Sequence, residues 1–144
     1  MRRSLFACAL LLSGTLLAGC DDLGTLSDNA NLDCDRVRSI SLGNSTSGSL
    51  DSGDCRLGDG SAVEYYRFRI SSPRTVYVSE QSNTIDPYVA ILDEYGSVVA
   101  EEDSGGSGYS EINGIYLPQG TYYIAASSYG PGDYGSFSLD TEYN

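Results

Sequence analysis

From Ala62 onward the chain alternates apolar and polar side chains with a period of two, in short runs that break at clusters of Gly, Ser, Asn and Asp. A strand with one buried face requires that alternation, and no stretch shows the 3.6-residue period of an amphipathic helix. In the run Glu64-Tyr65-Tyr66-Arg67-Phe68-Arg69-Ile70, Tyr66, Phe68 and Ile70 are expected to point inward while Tyr65, Arg67 and Arg69 point out. The same reading sends Val76 and Val78 inward and Tyr77 outward. It completes the core with Val89, Ile91, Val98, Ile112, Leu117, Tyr122, Ile124, Phe137 and Leu139. Strands are predicted at Arg38 to Leu42, Ser47 to Leu50, Ala62 to Ile70, Thr75 to Glu80, Tyr88 to Leu92, Ser97 to Glu101, Glu111 to Leu117, Thr121 to Ser127 and Ser136 to Glu142. Short strands at this spacing specify a sandwich or a barrel. Turns are expected where Gly can take a positive φ: Gly58-Asp59-Gly60, Glu94-Tyr95-Gly96-Ser97, Gly105-Gly106, Pro118-Gln119-Gly120 and Gly130-Pro131-Gly132.

The N-terminus has a different character. Arg2 and Arg3 precede an apolar run from Leu5 to Leu17, the layout of a secretory signal peptide. The run is too short for a permanent membrane span, which needs roughly 20 apolar residues. It ends in Leu17-Ala18-Gly19-Cys20, which resembles the lipobox of bacterial lipoproteins. The resemblance implies cleavage before Cys20 and a diacylglyceryl group on its thiol, hence palmitate-type acyl chains that hold the exported protein on a membrane of the cell envelope. Residues 1–19 are then the signal peptide. Residues 20–31, polar, small and acidic, are expected to be a flexible tether, and residues 32–144 the folded domain.

Charge excludes one class of partner. The whole sequence carries a formal −12, with no His. Loss of Arg2 and Arg3 leaves six arginines and no lysine against 20 acidic residues, about −14. The arginines are scattered, so there is no basic stripe for phosphates, and nucleic acid is not an expected partner.

Of the four cysteines, Cys8 leaves with the signal and Cys20 is assigned to the lipid, so Cys34 and Cys55 remain. In an oxidising compartment they are expected to form a disulfide. The other readings, a metal pair or a redox pair, fit less well: no His or further Cys completes a zinc site, and the spacing is not Cys-x-x-Cys.

The series Gly48-Ser49-Leu50, Glu64-Tyr65-Tyr66-Arg67-Phe68, Asp86-Pro87-Tyr88-Val89-Ala90-Ile91-Leu92-Asp93, Gly96, Leu117-Pro118-Gln119-Gly120-Thr121-Tyr122-Tyr123-Ile124 and Tyr134-Gly135-Ser136-Phe137-Ser138-Leu139 resembles the bacterial pre-peptidase C-terminal domain, over about residues 36 to 143. It departs from that pattern at Ile85 and at Glu101-Glu102-Asp103. The resemblance implies an all-β, jelly-roll-like antiparallel β-sandwich of about eight or nine strands, similar to the collagen-binding domains of bacterial collagenases. Such domains are usually appended to secreted peptidases, and this one is expected to stand without a peptidase domain beside it.

A Cys34–Cys55 bond would bring Asp33, Asp35 and Asp54 together, with Asp59 and Glu64 a short loop away. Crowded carboxylates repel, and calcium, with six to eight oxygen ligands, is one remedy. The resemblance also implies Ca2+ bound by acids of the N-terminal segment and of the loop before the Tyr-Tyr-x-Phe strand, here Asp33, Asp35, Asp54, Asp59 and Glu64. The other remedy is neutralisation by Arg36, Arg38 and Arg56.

An enzyme is not expected, because the exported portion has neither His nor Lys to serve as a base for a Ser or Cys nucleophile. Tyrosine offers a different chemistry. Tyr65, Tyr77, Tyr88 and Tyr123, all expected to face outward, are candidates for binding a protein or polysaccharide, against the plainer reading that Tyr simply suits strands. The expected function is therefore non-catalytic binding of an extracellular or envelope polymer or protein, with partnership to a separately encoded secreted peptidase as the alternative.

Overall fold

The structure is a computed structural model in which residues 32–103 and 106–144 are described. The expected signal peptide 1–19, the tether 20–31 and the lipidation site Cys20 lie outside the described residues. Ten strands follow one another: β1 (Arg38–Ser39), β2 (Ser45–Leu50), β3 (Cys55–Arg56), β4 (Ala62–Ile70), β5 (Arg74–Gln81), β6 (Pro87–Leu92), β7 (Val98–Asp103), β8 (Tyr109–Leu117), β9 (Gly120–Ser128) and β10 (Gly135–Tyr143). The fold is all-β, a sandwich of two sheets. One sheet runs β1-β4-β9-β6-β7 with β3 also paired to β4, and the other runs β2-β10-β5-β8. Pairing is antiparallel except between β1 and β4.

Between the sheets the period-two pattern does what it predicts. Tyr66, Phe68 and Ile70 of β4, Val76 and Val78 of β5, Val89 and Ile91 of β6, Tyr122 and Ile124 of β9, and Phe137 and Leu139 of β10 all enter one buried cluster with Ile112 and Leu117 of β8. The Phe68 and Tyr122 rings stack with centroids 5.7 Å apart. Each such side chain contributes about 1.5–3 kcal/mol by leaving water, so the alternation itself fixes which face of each strand lies inside.

Val98 departs from the expectation. The β6–β7 register slips between Ile91 and Leu92, so Ile91 pairs with Ala100 and Leu92 with Val98. On this edge strand Ala100 packs against the core, and Val98 is left 38 % exposed. The β6–β7 turn before it is held as expected, with the Asp93 carboxylate accepting the amides of Tyr95 and Ser97 and Gly96 at φ +83°. A second irregularity lies between β5 and β8, where Val76 pairs with Ile115 and Val78 with Ile112. The bulge takes up Gly114 at φ +85°, where a Cβ would press on the Tyr77 ring.

The largest departure lies outside the sandwich. Cys34 and Cys55 are bonded, with Cα atoms 6.1 Å apart and a sequence separation of 21. Cys55 sits in β3, two residues long and absent from the sequence prediction, which pairs Cys55 with Val63 on β4. The bond therefore straps the segment around Leu32–Val37 onto the outer face of the β4 sheet. Leu32, Cys34, Val37 and Cys55 pack there on Leu57, Val63, Tyr65, Ala90, Leu92 and Ala125, a second core outside the first. Tyr65, expected to face solvent, is 0 % exposed.

Candidate functional site

The outer face of the β4 sheet is ordered by register. Val63, Ser127 and Tyr88 lie in one row across β4, β9 and β6, followed by Tyr65, Ala125 and Ala90, and then by Arg67, Tyr123 and Leu92. Arg69 and Thr121 form the last row. The strapped segment covers the first part of this face. Beyond Tyr123 the face is open, and the chain leaving β1 forms a second wall, since Ser39 pairs with Arg67 and the Ile40 amide donates to the Arg67 carbonyl at 3.0 Å. The result is a groove of about 670 Å³ whose lining includes Ser39 to Leu42, Arg67, Arg69, Tyr123, Arg74 and Tyr143. Arg74 is steered by Ser72, whose carbonyl and hydroxyl accept from its guanidinium, and its charge lies 4.6 Å from the centre of the Tyr143 ring.

Of the four tyrosines singled out by the sequence, Tyr65, Tyr88 and Tyr123 thus share one face, but only the last lines the groove. Tyr65 is sealed beneath the strap, and burial pushes its hydroxyl up to about 12. Tyr88 is half-buried at the edge of the same cluster and donates to Glu101. Tyr77 belongs to β5 in the other sheet, where its hydroxyl accepts from the Asn144 side-chain amide. The four do not form one binding surface.

The five acids proposed for calcium are not drawn into one cage. Asp54 pairs with Arg36 at 3.3 Å and accepts the Asp51 amide at 2.7 Å. The Asp59 carboxylate accepts the Ser61 amide at 2.8 Å in its own turn. Asp33 and Asp35 are exposed on the strapped segment. Glu64 points inward from β4, where it accepts from the Tyr66 hydroxyl and pairs with Arg38 at 3.2 Å. Among the described residues no three His, Cys, Asp or Glu side chains converge in a group able to hold a metal ion.

Sequence reasoning missed a second inward carboxyl, Glu80 on β5, which is 0 % exposed. Neither of its oxygens meets a side chain or backbone group in good hydrogen-bond geometry. Burial pushes it up to about 9, opposed in part by the backbone of Ser127 and reinforced by the charge of Glu64. The alternation contained the signal, since Glu80 follows Val76 and Val78 on the inward positions of β5. Both acids are closed off from solvent within the sandwich, and neither faces the groove.

Compared by sequence, the chain matches no protein-family model and no curated protein. Compared by structure, it is similar to the pre-peptidase C-terminal domain of a collagenase from Bacillus anthracis, with TM-score 0.60, 20 % identity, 74 % of this chain covered and 94 % of that one. It is also similar to a periplasmic inhibitor of g-type lysozyme from Aeromonas hydrophila, with TM-score 0.51, 11 % identity, 76 % of this chain covered and 98 % of that one. At these identities the likeness establishes the sandwich fold, of the kind found in the pre-peptidase C-terminal domain.

Proposed function

We propose that this chain is a lipid-anchored cell-envelope protein whose sandwich is a non-catalytic binding domain for an extracellular or envelope protein or polysaccharide. The observation that carries the reading is the division of polar chemistry in the fold. The inward carboxyls Glu64 and Glu80 are buried at 8 % and 0 % exposure, while the open groove presents guanidinium groups, hydroxyls and tyrosine rings and, among the described residues, no carboxylate. Such a surface recognises by contact and holds no acid–base pair. Both structural neighbours support the reading, one being a domain of a collagenase and the other an inhibitor that targets a lysozyme. The disulfide and the periplasmic neighbour support export, and the anchor rests on the sequence around Cys20.

Two experiments test the two halves. Pull-down on insoluble collagen, chitin, cellulose and peptidoglycan should retain the folded protein, and passage through all four would count against binding of these polymers. Labelling of cells with a fatty acid should mark the protein, and Cys20→Ser should abolish both the label and membrane association. Membrane association that survives unlabelled in Cys20→Ser would remove the anchor.

A further inference from the structure

We propose that the groove between β4 and the chain leaving β1 binds a carboxylate-bearing glycan, a polymer with uronic acid rings. The inference rests on the binding role proposed above and gives it a ligand class.

The first support is the distribution of charge. Six arginines lie beyond Arg3, and three of them, Arg67, Arg69 and Arg74, line this groove, while no acidic residue among the described residues does. On a surface this acidic an anion is repelled almost everywhere, and the groove is the local exception. It contrasts with the smaller basin at the far end of β5, which is lined by Asp86 and Asp133.

The second support is how the arginines are employed. Arg36 and Arg38 are paired with Asp54 and Glu64, and Arg56 donates to the carbonyls of Ser52 and Gly60. Those three hold the strap, the inward acid and a turn. Arg67 and Arg69 are exposed, and among the described residues neither guanidinium has an ion-pair or hydrogen-bond partner. Two residues apart on one strand, they project from the same face, about 7 Å apart. A guanidinium fork matches a planar carboxylate with two parallel hydrogen bonds.

The third support selects a glycan. Ser39, Ser41, Ser71 and Thr121, four hydroxyl-bearing residues, line the same groove as Tyr123. A uronic acid ring presents a carboxylate next to several hydroxyls and a flat apolar face, and so addresses guanidinium, hydroxyl and tyrosine at once. An acidic peptide carries its carboxylates on flexible stems and leaves those hydroxyls unmatched.

The test is affinity electrophoresis of the full chain through gels containing polygalacturonate, dextran or polyglutamate, with the double variant Arg67→Gln/Arg69→Gln alongside. Polygalacturonate should retard the native protein and dextran should not. The double variant should bind at least about tenfold more weakly at an unchanged melting temperature, and the native retardation should fade with added salt. Retardation by polygalacturonate that the double variant keeps would overturn the groove assignment, and equal retardation by polyglutamate would overturn the choice of a glycan. If the double variant and the native protein are retained alike on collagen, chitin, cellulose or peptidoglycan without any affinity for polygalacturonate, the groove fails while the binding role stands. Failure on every polymer removes the groove assignment and polysaccharide binding together.

Discussion

Glu80 holds its carboxyl between the sheets with no solvent contact, and its ionisation is pushed up from the ordinary 4.5 to about 9. The unfolded chain releases that proton at ordinary carboxylate pH, and the folded chain keeps it until about 9. The folded state therefore binds this proton more tightly between those limits, so the contribution of Glu80 to stability is fullest below about 4.5 and is lost as pH rises toward 9. A single group of this kind gives a slope of up to about 1.4 kcal/mol per pH unit. Glu80→Gln, neutral at every pH, should match the native protein near pH 4 and melt higher than it above pH 7. Melting curves from pH 4 to 9 that fall in parallel for both proteins would deny Glu80 this role. Gly48 faces the same interior from β2. A Cβ there would collide with the Phe137 ring and the Glu64 carboxylate, so Gly48→Ala should cost about 1–3 kcal/mol through overpacking. Urea unfolding would show this as a lower midpoint at unchanged slope.

Among the elements, the strap is the one whose removal has the clearest expected outcome. The Cys34–Cys55 bond closes a loop across 21 residues, and its constraint on the unfolded chain is worth about 3 kcal/mol. Cys34→Ser/Cys55→Ser should lose stability of that order. It should also speed amide exchange in the strapped segment and at Val63 to Tyr65, while the amides of β5 and β10 stay protected. Uniform loss of protection across both sheets would show that the strap and the sandwich form one cooperative unit. A thiol-blocking reagent should add nothing to the native domain before reduction and two adducts after it.

These elements also show what the sequence can disclose. Alternation along β4, β5, β9 and β10 is long enough to name the inward residues, because one core covers one face. It misassigns Tyr65 because Val63, Tyr65, Ala90, Leu92 and Ala125 form a second apolar set on the opposite face, and period two cannot tell a one-sided strand from a two-sided one. β3, with two residues, has no period to read. The groove was hidden for another reason. Arg67 and Arg69 look like ordinary outward positions until β1, some 28 residues earlier, is laid in parallel beside them. No local pattern specifies that pairing, since β1 is itself only two residues long and exposed.

At the scale of the whole molecule, two of the acids beside the strap and at its inner edge are neutralised by arginine. Arg36 and Arg38 meet Asp54 and Glu64, two of the five acids considered for calcium. The melting temperature should accordingly be the same in chelator and in millimolar calcium at matched ionic strength. A bound ion at about 100 times its Kd would add about 2.7 kcal/mol, and a rise of that size would assign calcium to the N-terminal acids.

β7 closes one side of its sheet, with a single neighbour, β6. An outermost strand offers half of its backbone to any other chain that comes alongside, and that is the usual start of uncontrolled stacking between copies. Here the strand ends in Glu101, Glu102 and Asp103, all exposed. Two molecules aligning these margins would bring six carboxylates into one seam. These three like charges along the margin therefore disfavour edge-to-edge pairing of two copies of the domain.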